Sequence, residues 1–229
     1  MLKRETSPLP RLTPRGAATR LRIIEAAAEL VVENGVARTS LDEIMAVAEV
    51  SKSQLYHYFN DKNAIVGEVI RLQIGQVLAA QNPQLSAIDS MAALRVWRNV
   101  IVELSRAQGG KGGCPIGSLA NELSNQSEHA RGLLAQSFES WRGDIEIGLQ
   151  KMRERGELAK AANPEELSIA ILSAVQGGLL LAKTARSVRP VEIALDMALA
   201  FVEQHSTSGA RTRRVSRPRS KRAEISGVK

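Results

Sequence analysis

Two short phrases, Ser40-x-x-Glu43 and Ser51-x-x-Gln54, constrain this chain more than any other feature. In each, the serine hydroxyl can accept the backbone N–H three residues on, while the longer side chain reaches back to the serine's own N–H. Each phrase therefore opens a helix, and the two stand so close together that the first helix must be short. Leu41, Ile44 and Ala48 give that helix an apolar face, and Ala48-Glu49-Val50 makes a turn. The second helix, Ser51 to about Tyr58, points Leu55 and Phe59 inward at i and i+4. Two short helices joined in this way describe a helix-turn-helix.

The flanking sequence is helical as well. Ile23, Ile24, Ala27, Leu30 and Val31 form one face, and Gly35 after Asn34 stops that helix. Asn60-Asp61 opens a further helix running to about Ala80. Helices are also predicted over about 86–107, 115–125, 128–155, 164–187 and 190–204, with Pro83, the Gly109–Gly113 loop, Gly156, Pro164 and Pro190 as breaks. No segment alternates with period two. Hydrophobic residues make up 44% of the chain, enough for a real core, and the expected fold class is all-α.

Several function classes are excluded on composition. A single cysteine, Cys114, allows no disulfide framework, and His57, His129 and His205 are too scattered for a metal site. No nucleophile elbow, phosphate loop or dinucleotide fingerprint occurs, so neither enzyme chemistry nor a cofactor is expected. The most apolar run, 167–182, is interrupted by Ser168, Ser173 and Gln176 and reads as a buried helix, not a membrane span. The N-terminal sequence is basic but lacks the apolar stretch of a signal peptide, so the expectation is a cytoplasmic protein with no membrane partner.

Charge is distributed unevenly. The net charge is +7, and the segment 206–229 carries eight cations against Glu224 alone, which accounts for all of it. Residues 1–22 are also basic, so two basic ends flank an acidic middle. Pro8, Pro10 and Pro14 argue against a regular helix in the arm. Both ends are expected to be unfolded: an arm over 1–18 and a tail over 206–229. The tail serves either solubility or non-specific nucleic-acid binding.

The outward residues of the second short helix are Lys52, Ser53, Gln54, Tyr56, His57 and Tyr58. This set can donate to phosphates, bond base edges and touch a thymine methyl, with Ser53 and Gln54 as the expected base readers. Residues 19–68 resemble the DNA-binding domain of the TetR family of bacterial transcriptional regulators. The resemblance is carried by the Ile-Ile-x-Ala-Ala face, Gly35, Thr39-Ser40 before Ile44 and Ala48, and Val50-Ser51-Lys52-x-x-Leu55-Tyr56-His57-Tyr58-Phe59 followed by Asp61-Lys62. It implies a homodimer on a pseudo-palindromic double-stranded DNA operator, with Lys52, Ser53, Tyr56 and His57 meeting DNA. It further implies phosphate contacts from Arg20, Thr39, Ser40 and Lys62. Tyr58 often packs against the helix pair in that family.

Residues 110–202, within an expected body of 69–205, resemble the sensor domain of TetR regulators that respond to drugs, flavonoids and other aromatic compounds. The cues are Gly113-Cys114-Pro115-Ile116-Gly117-Ser118-Leu119-Ala120, Phe138-x-x-Trp141, Met152-x-x-x-Gly156-Glu157-Leu158 and Gln176-Gly177-Gly178-Leu179-Leu180-Leu181-Ala182. Trp97, Ile101, Cys114, Phe138 and Trp141 are then expected to line an effector pocket, against the alternative that the aromatic rings are plain core. Cys114 reads either as a pocket or redox residue or as a small buried thiol. The glycine pair within an apolar helix calls for close helix approach at a dimer interface. Gln176, Gly177, Gly178, Leu195, Leu199 and Val202 are assigned to that interface, with Val191 and Ala198 on the same face. Two functions stay open: a repressor released from its operator by a small aromatic or hydrophobic effector, or a regulator with no small-molecule effector.

Overall fold

The computed structural model describes residues 12–207 and is all-α, with nine helices among the described residues. The tail from 208 on and the first part of the basic arm lie outside the described residues. The helices are α1 Pro14–Asn34, α2 Leu41–Ala48, α3 Lys52–Tyr58, α4 Lys62–Ala79, α5 Met91–Ala107, α6 Pro115–Leu123, α7 Glu128–Glu154, α8 Pro164–Ala185 and α9 Arg189–Gln204.

Local chemistry fixes the ends. Pro14 does not exclude a helix: it is the first helical residue of α1, where its missing N–H costs nothing, and Thr13 caps the helix by accepting from the Gly16 N–H at 3.2 Å. Residues 14–18, expected in the unfolded arm, are therefore helical. Gly35 ends α1 with φ of 79°, a conformation that residues with a Cβ rarely adopt. α5 begins at Met91 and not near 86, because Ser90 caps it through the Ala93 N–H at 3.2 Å.

The chain divides into two compact units. The first holds α1 to α4, α6 and the start of α7, up to Glu139. α4 continues past residue 68 to Ala79 within this unit. In this unit α1 packs against α2 and α4, and α4 against α6. Ile23, Ile44, Leu55 and Ile65 are almost completely buried and form part of the apolar core of this unit.

The second unit holds residues 81–113 and 140–207, including α5, the rest of α7, α8 and α9. α9 packs on both α5 and α8. The α8–α9 approach depends on Gly178, where a Cβ would stand 2.9 Å from Val191 Cα and 3.1 Å from Ala194 Cβ. α8 is long and apolar enough to cross a membrane, but Leu167, Ile171, Val175 and Ala182 are buried within the unit, as in the core helix of a globular protein.

Candidate nucleic-acid interface

The short helices form as their caps require. Ser40 Oγ accepts the Glu43 N–H at 3.2 Å, and Glu43 Oε2 accepts the Ser40 N–H at 2.8 Å. The Ser40 backbone N–H, and then its hydroxyl, hold the Glu43 carboxyl below its ordinary value. Ser51 and Gln54 repeat the arrangement at the start of α3, at 2.9 and 3.2 Å. Glu49, in the left-handed conformation (φ 51°), makes the turn between α2 and α3. Leu55 and Phe59 face inward, at 0% and 3% exposure.

The opposite side of α3 is open. Lys52, Ser53, Gln54, Tyr56 and His57 are all exposed, so one helical surface presents an ammonium, a hydroxyl, an amide, a phenol and an imidazole to solvent. Nothing within α3 covers this set. Gln54 enters it only partly, because its Oε1 is taken by the cap and its Nε2 remains to donate. Tyr58 leans on α1, its hydroxyl beside Gly16, and its ring meets His57 edge-on at 4.8 Å.

The four residues assigned to phosphate fare differently. Ser40 stays exposed at the start of α2, with its hydroxyl donating to Glu43 at 2.8 Å. Thr39 is a correction: it is 1% exposed, and its hydroxyl donates to the Gly35 carbonyl at 2.8 Å, so its side chain fixes the turn. Arg20 pairs with Glu68 at 3.1 Å and lies 5.2 Å from the Phe59 ring centroid, tying α1 to α4. Lys62 donates to the Val36 carbonyl and closes the start of α4 onto the α1–α2 turn. In this structure Arg20 and Lys62 are engaged inside the head. The sequence reading also missed a participant: Glu122 of α6 accepts from the Val36 and Ala37 amides, 86 and 85 residues away, and no local pattern announces a contact of that range.

The residues assigned to the body are distributed as follows. Trp97, Ile101 and Trp141 belong to the second unit, at 0%, 4% and 1% exposure. The Trp97 indole N–H donates to Gln81 Oε1 at 3.0 Å, whereas the Trp141 N–H is buried with no hydrogen-bond partner among the described residues. Cys114 and Phe138 belong to the first unit, the former buried with its Sγ accepting the Gly117 N–H at 3.4 Å and the latter half-buried. An open groove of about 340 Å³ lies elsewhere, between α5 and α9. Its walls are paired charges, with Arg98 2.8 Å from Asp196 and Arg95 against Glu203.

The residues assigned to the dimer interface lie in two settings. Gly178, Leu195, Leu199 and Val202 are buried inside the chain itself, and the close approach at Gly178 is to α9 of the same chain. Val191 and Ala198 share that burial. Gly177 is exposed with open space around it, and Gln176 is half-buried. The apolar residues that α9 leaves in solvent are Ile193, Met197 and Phe201, at 52%, 66% and 41%, and on α8 they are Ile169, Leu180 and Leu181.

A capped helix-turn-helix with an open polar recognition face defines a DNA-binding regulator. Comparison with known proteins places it further. Residues 23–69 match the family described as bacterial regulatory proteins, tetR family, and residues 90–198 match the tetracyclin repressor-like C-terminal domain. The HTH-type transcriptional repressor DhaR of Mycobacterium sp. is 25% identical over 76% of this chain and 86% of its own length. The HTH-type transcriptional regulator LmrA of Bacillus subtilis is 25% identical over 76% of this chain and 90% of its own length. A TetR transcriptional regulator from Chloroflexus aurantiacus superposes with a TM-score of 0.75 at 22% identity, covering 85% of this chain and 98% of that one. The chain belongs to the TetR family and is a DNA-binding, non-enzymatic transcriptional regulator.

Proposed function

We propose that this regulator is a cytoplasmic repressor that binds a pseudo-palindromic operator as a homodimer and is released by a small aromatic or hydrophobic effector. The observation that carries the effector is Trp141. A buried N–H without a partner costs about 1–3 kcal/mol, and a ligand carrying an acceptor would remove that cost. Trp97, whose N–H is satisfied, is the internal contrast. The name of DhaR, a repressor, supports the sign of regulation. A second reading, a regulator without effector, is favoured by the complete packing of Trp97.

Dimerisation is assigned to the apolar stripes that α8 and α9 leave exposed. A two-fold axis there gives the dimer one α3 for each half-site of a pseudo-palindrome. An effector that binds the DNA-free geometry better lowers operator affinity by that difference in free energy.

The test starts with selection of an operator from random duplexes by the full-length protein. Flavonoids and planar aromatic drugs are then screened by mobility shift and by quenching of the single tryptophan left in Trp97→Phe. The expected result is that compounds quenching Trp141 also release DNA, and that Trp141→Phe binds operator yet resists release. Release that survives intact in Trp141→Phe overturns the assignment.

A further inference from the structure

The turn between α1 and α2 is held by a residue from outside the helix-turn-helix. Glu122 lies one residue from the end of α6. Its Oε2 accepts the Val36 N–H at 3.0 Å and its Oε1 accepts the Ala37 N–H at 2.7 Å. The peptide joining Val36 to Ala37 is held at both ends, because its carbonyl accepts from Lys62 Nζ at the start of α4. Gly35 leaves room for the arrangement, since a Cβ there would stand 3.2 Å from Glu122 Oε2. Two residues further on, Thr39 and Ser40 begin the DNA-facing end of α2, and Thr39 is tied back to the Gly35 carbonyl.

We propose that Glu122 is a positioning residue for operator binding, a carboxylate clamp through which α6 sets the α1–α2 turn and with it the placement of the helix-turn-helix. Charge-assisted bonds to backbone amides are strong and short, and they fail steeply with distance. A displacement of α6 by about 1 Å along these bonds takes both out of range. The head is therefore sensitive to α6 in a way that packing of apolar side chains alone does not produce. The inference rests on the DNA-binding activity and not on release by an effector.

Glu122→Gln is the sharp variant. It keeps size and polarity, but one of its two atoms becomes an NH2 facing an amide N–H. Removing a negative charge strengthens binding to any duplex by simple electrostatics. The clamp predicts the opposite sign on the operator. In the full-length protein, Glu122→Gln and Glu122→Ala should each raise the Kd for the selected operator at least about tenfold. The Kd for an unrelated duplex at the same salt should stay within about twofold of wild type. Glu122→Asp, which can keep one bond, should fall between.

Wild-type operator affinity in a folded Glu122→Gln protein overturns the proposal, as does an equal loss on both duplexes. Should the variants fail to fold, amide exchange in the wild-type protein decides. The Val36 and Ala37 amides should exchange far more slowly than that of Arg38, and equal rates overturn the clamp. If wild type selects no sequence at all, the DNA-reading assignment fails, and exchange still tests the clamp by itself.

Discussion

Met197 and Leu195 sit two residues apart on α9 and should behave as opposites. Met197 is 66% exposed and Leu195 is 0% exposed. Fully burying a side chain of this size gives about 1.5–3 kcal/mol, so covering two-thirds of Met197 gives roughly 1–2 kcal/mol per copy and 2–4 kcal/mol across a two-fold axis. Met197→Glu removes that gain and adds two carboxylates that must lose water or meet each other. With each 1.4 kcal/mol worth tenfold, dimer affinity should fall by about 30-fold to 1,000-fold or more. The variant should sediment as a monomer at micromolar concentration, keep its helical circular dichroism, and lose the concentration dependence of its melting midpoint. Operator affinity should fall with it. Leu195→Ala instead opens a cavity inside one chain, costs about 2–5 kcal/mol and lowers the melting temperature at every concentration. A Met197→Glu protein that remains dimeric, with Leu195→Ala dissociating while its helices stay intact, would refute the reasoning and return the interface to the residues first assigned from sequence.

Three further outcomes follow from packing and charge. Gly148→Ala places a Cβ 2.5 Å from the Ile88 carbonyl oxygen, so backbone must move, and thermal unfolding should show a loss of about 1–3 kcal/mol. Asp144 is held above its ordinary carboxyl value by burial, so the folded state keeps its proton to higher pH than the unfolded chain does. Stability is therefore lost as pH rises from the ordinary value through the raised one, and Asp144→Asn should melt higher than wild type at neutral pH with the gap closing in acid. A gap that is constant with pH contradicts this assignment. Deleting 206–229, which removes the whole net charge of +7, should weaken binding to unrelated duplex and flatten its salt dependence while operator preference survives. Loss of operator preference in the truncated protein contradicts that separation of roles.

What the sequence made legible was mostly local. Both capping boxes are present as read, and helix ends near Gly35, Pro115, Pro164 and Pro190 follow from residues at those positions. The outward set on α3 could be read because a helix fixes which residues share a face. Errors arose where a folded contact, local or distant, decided the outcome. Thr39 looks free to bond phosphate until the chain folds and supplies the Gly35 carbonyl as its acceptor. The apolar stripe Val191, Leu195, Ala198, Leu199 and Val202 was assigned to a dimer interface and is buried within one chain, because periodicity cannot tell burial in a monomer from burial in a dimer. Ile193, Met197 and Phe201 recur with the same helical spacing, four residues apart, and are the stripe left in solvent. Glu122 had no signature, since two bonds spanning some 85 residues of sequence depend on where α6 stops.

The charges of the head bear on how it must read DNA. Residues 1–68 contain nine cations and nine anions, so no net field draws the head to a polyanion. Among the described residues several of those cations are committed internally, Arg20 to Glu68, Lys62 to the Val36 carbonyl and Arg38 to the Asn34 carbonyl. Arg15, Arg22 and Lys52 remain exposed. If only these three meet phosphate, the head releases few counterions and its salt dependence is shallow. Affinity for the operator must come instead from many weak contacts made at once, each sensitive to distance. A head of that kind needs its helices placed accurately before DNA arrives. The internal ion pair, the Ser40–Glu43 capping box and the Glu122 bonds use charge for that placement, and the Ser51–Gln54 box does the same with neutral groups. On the role proposed for Glu122, the acidic residues of the head and of α6 serve DNA reading by holding its helices in place.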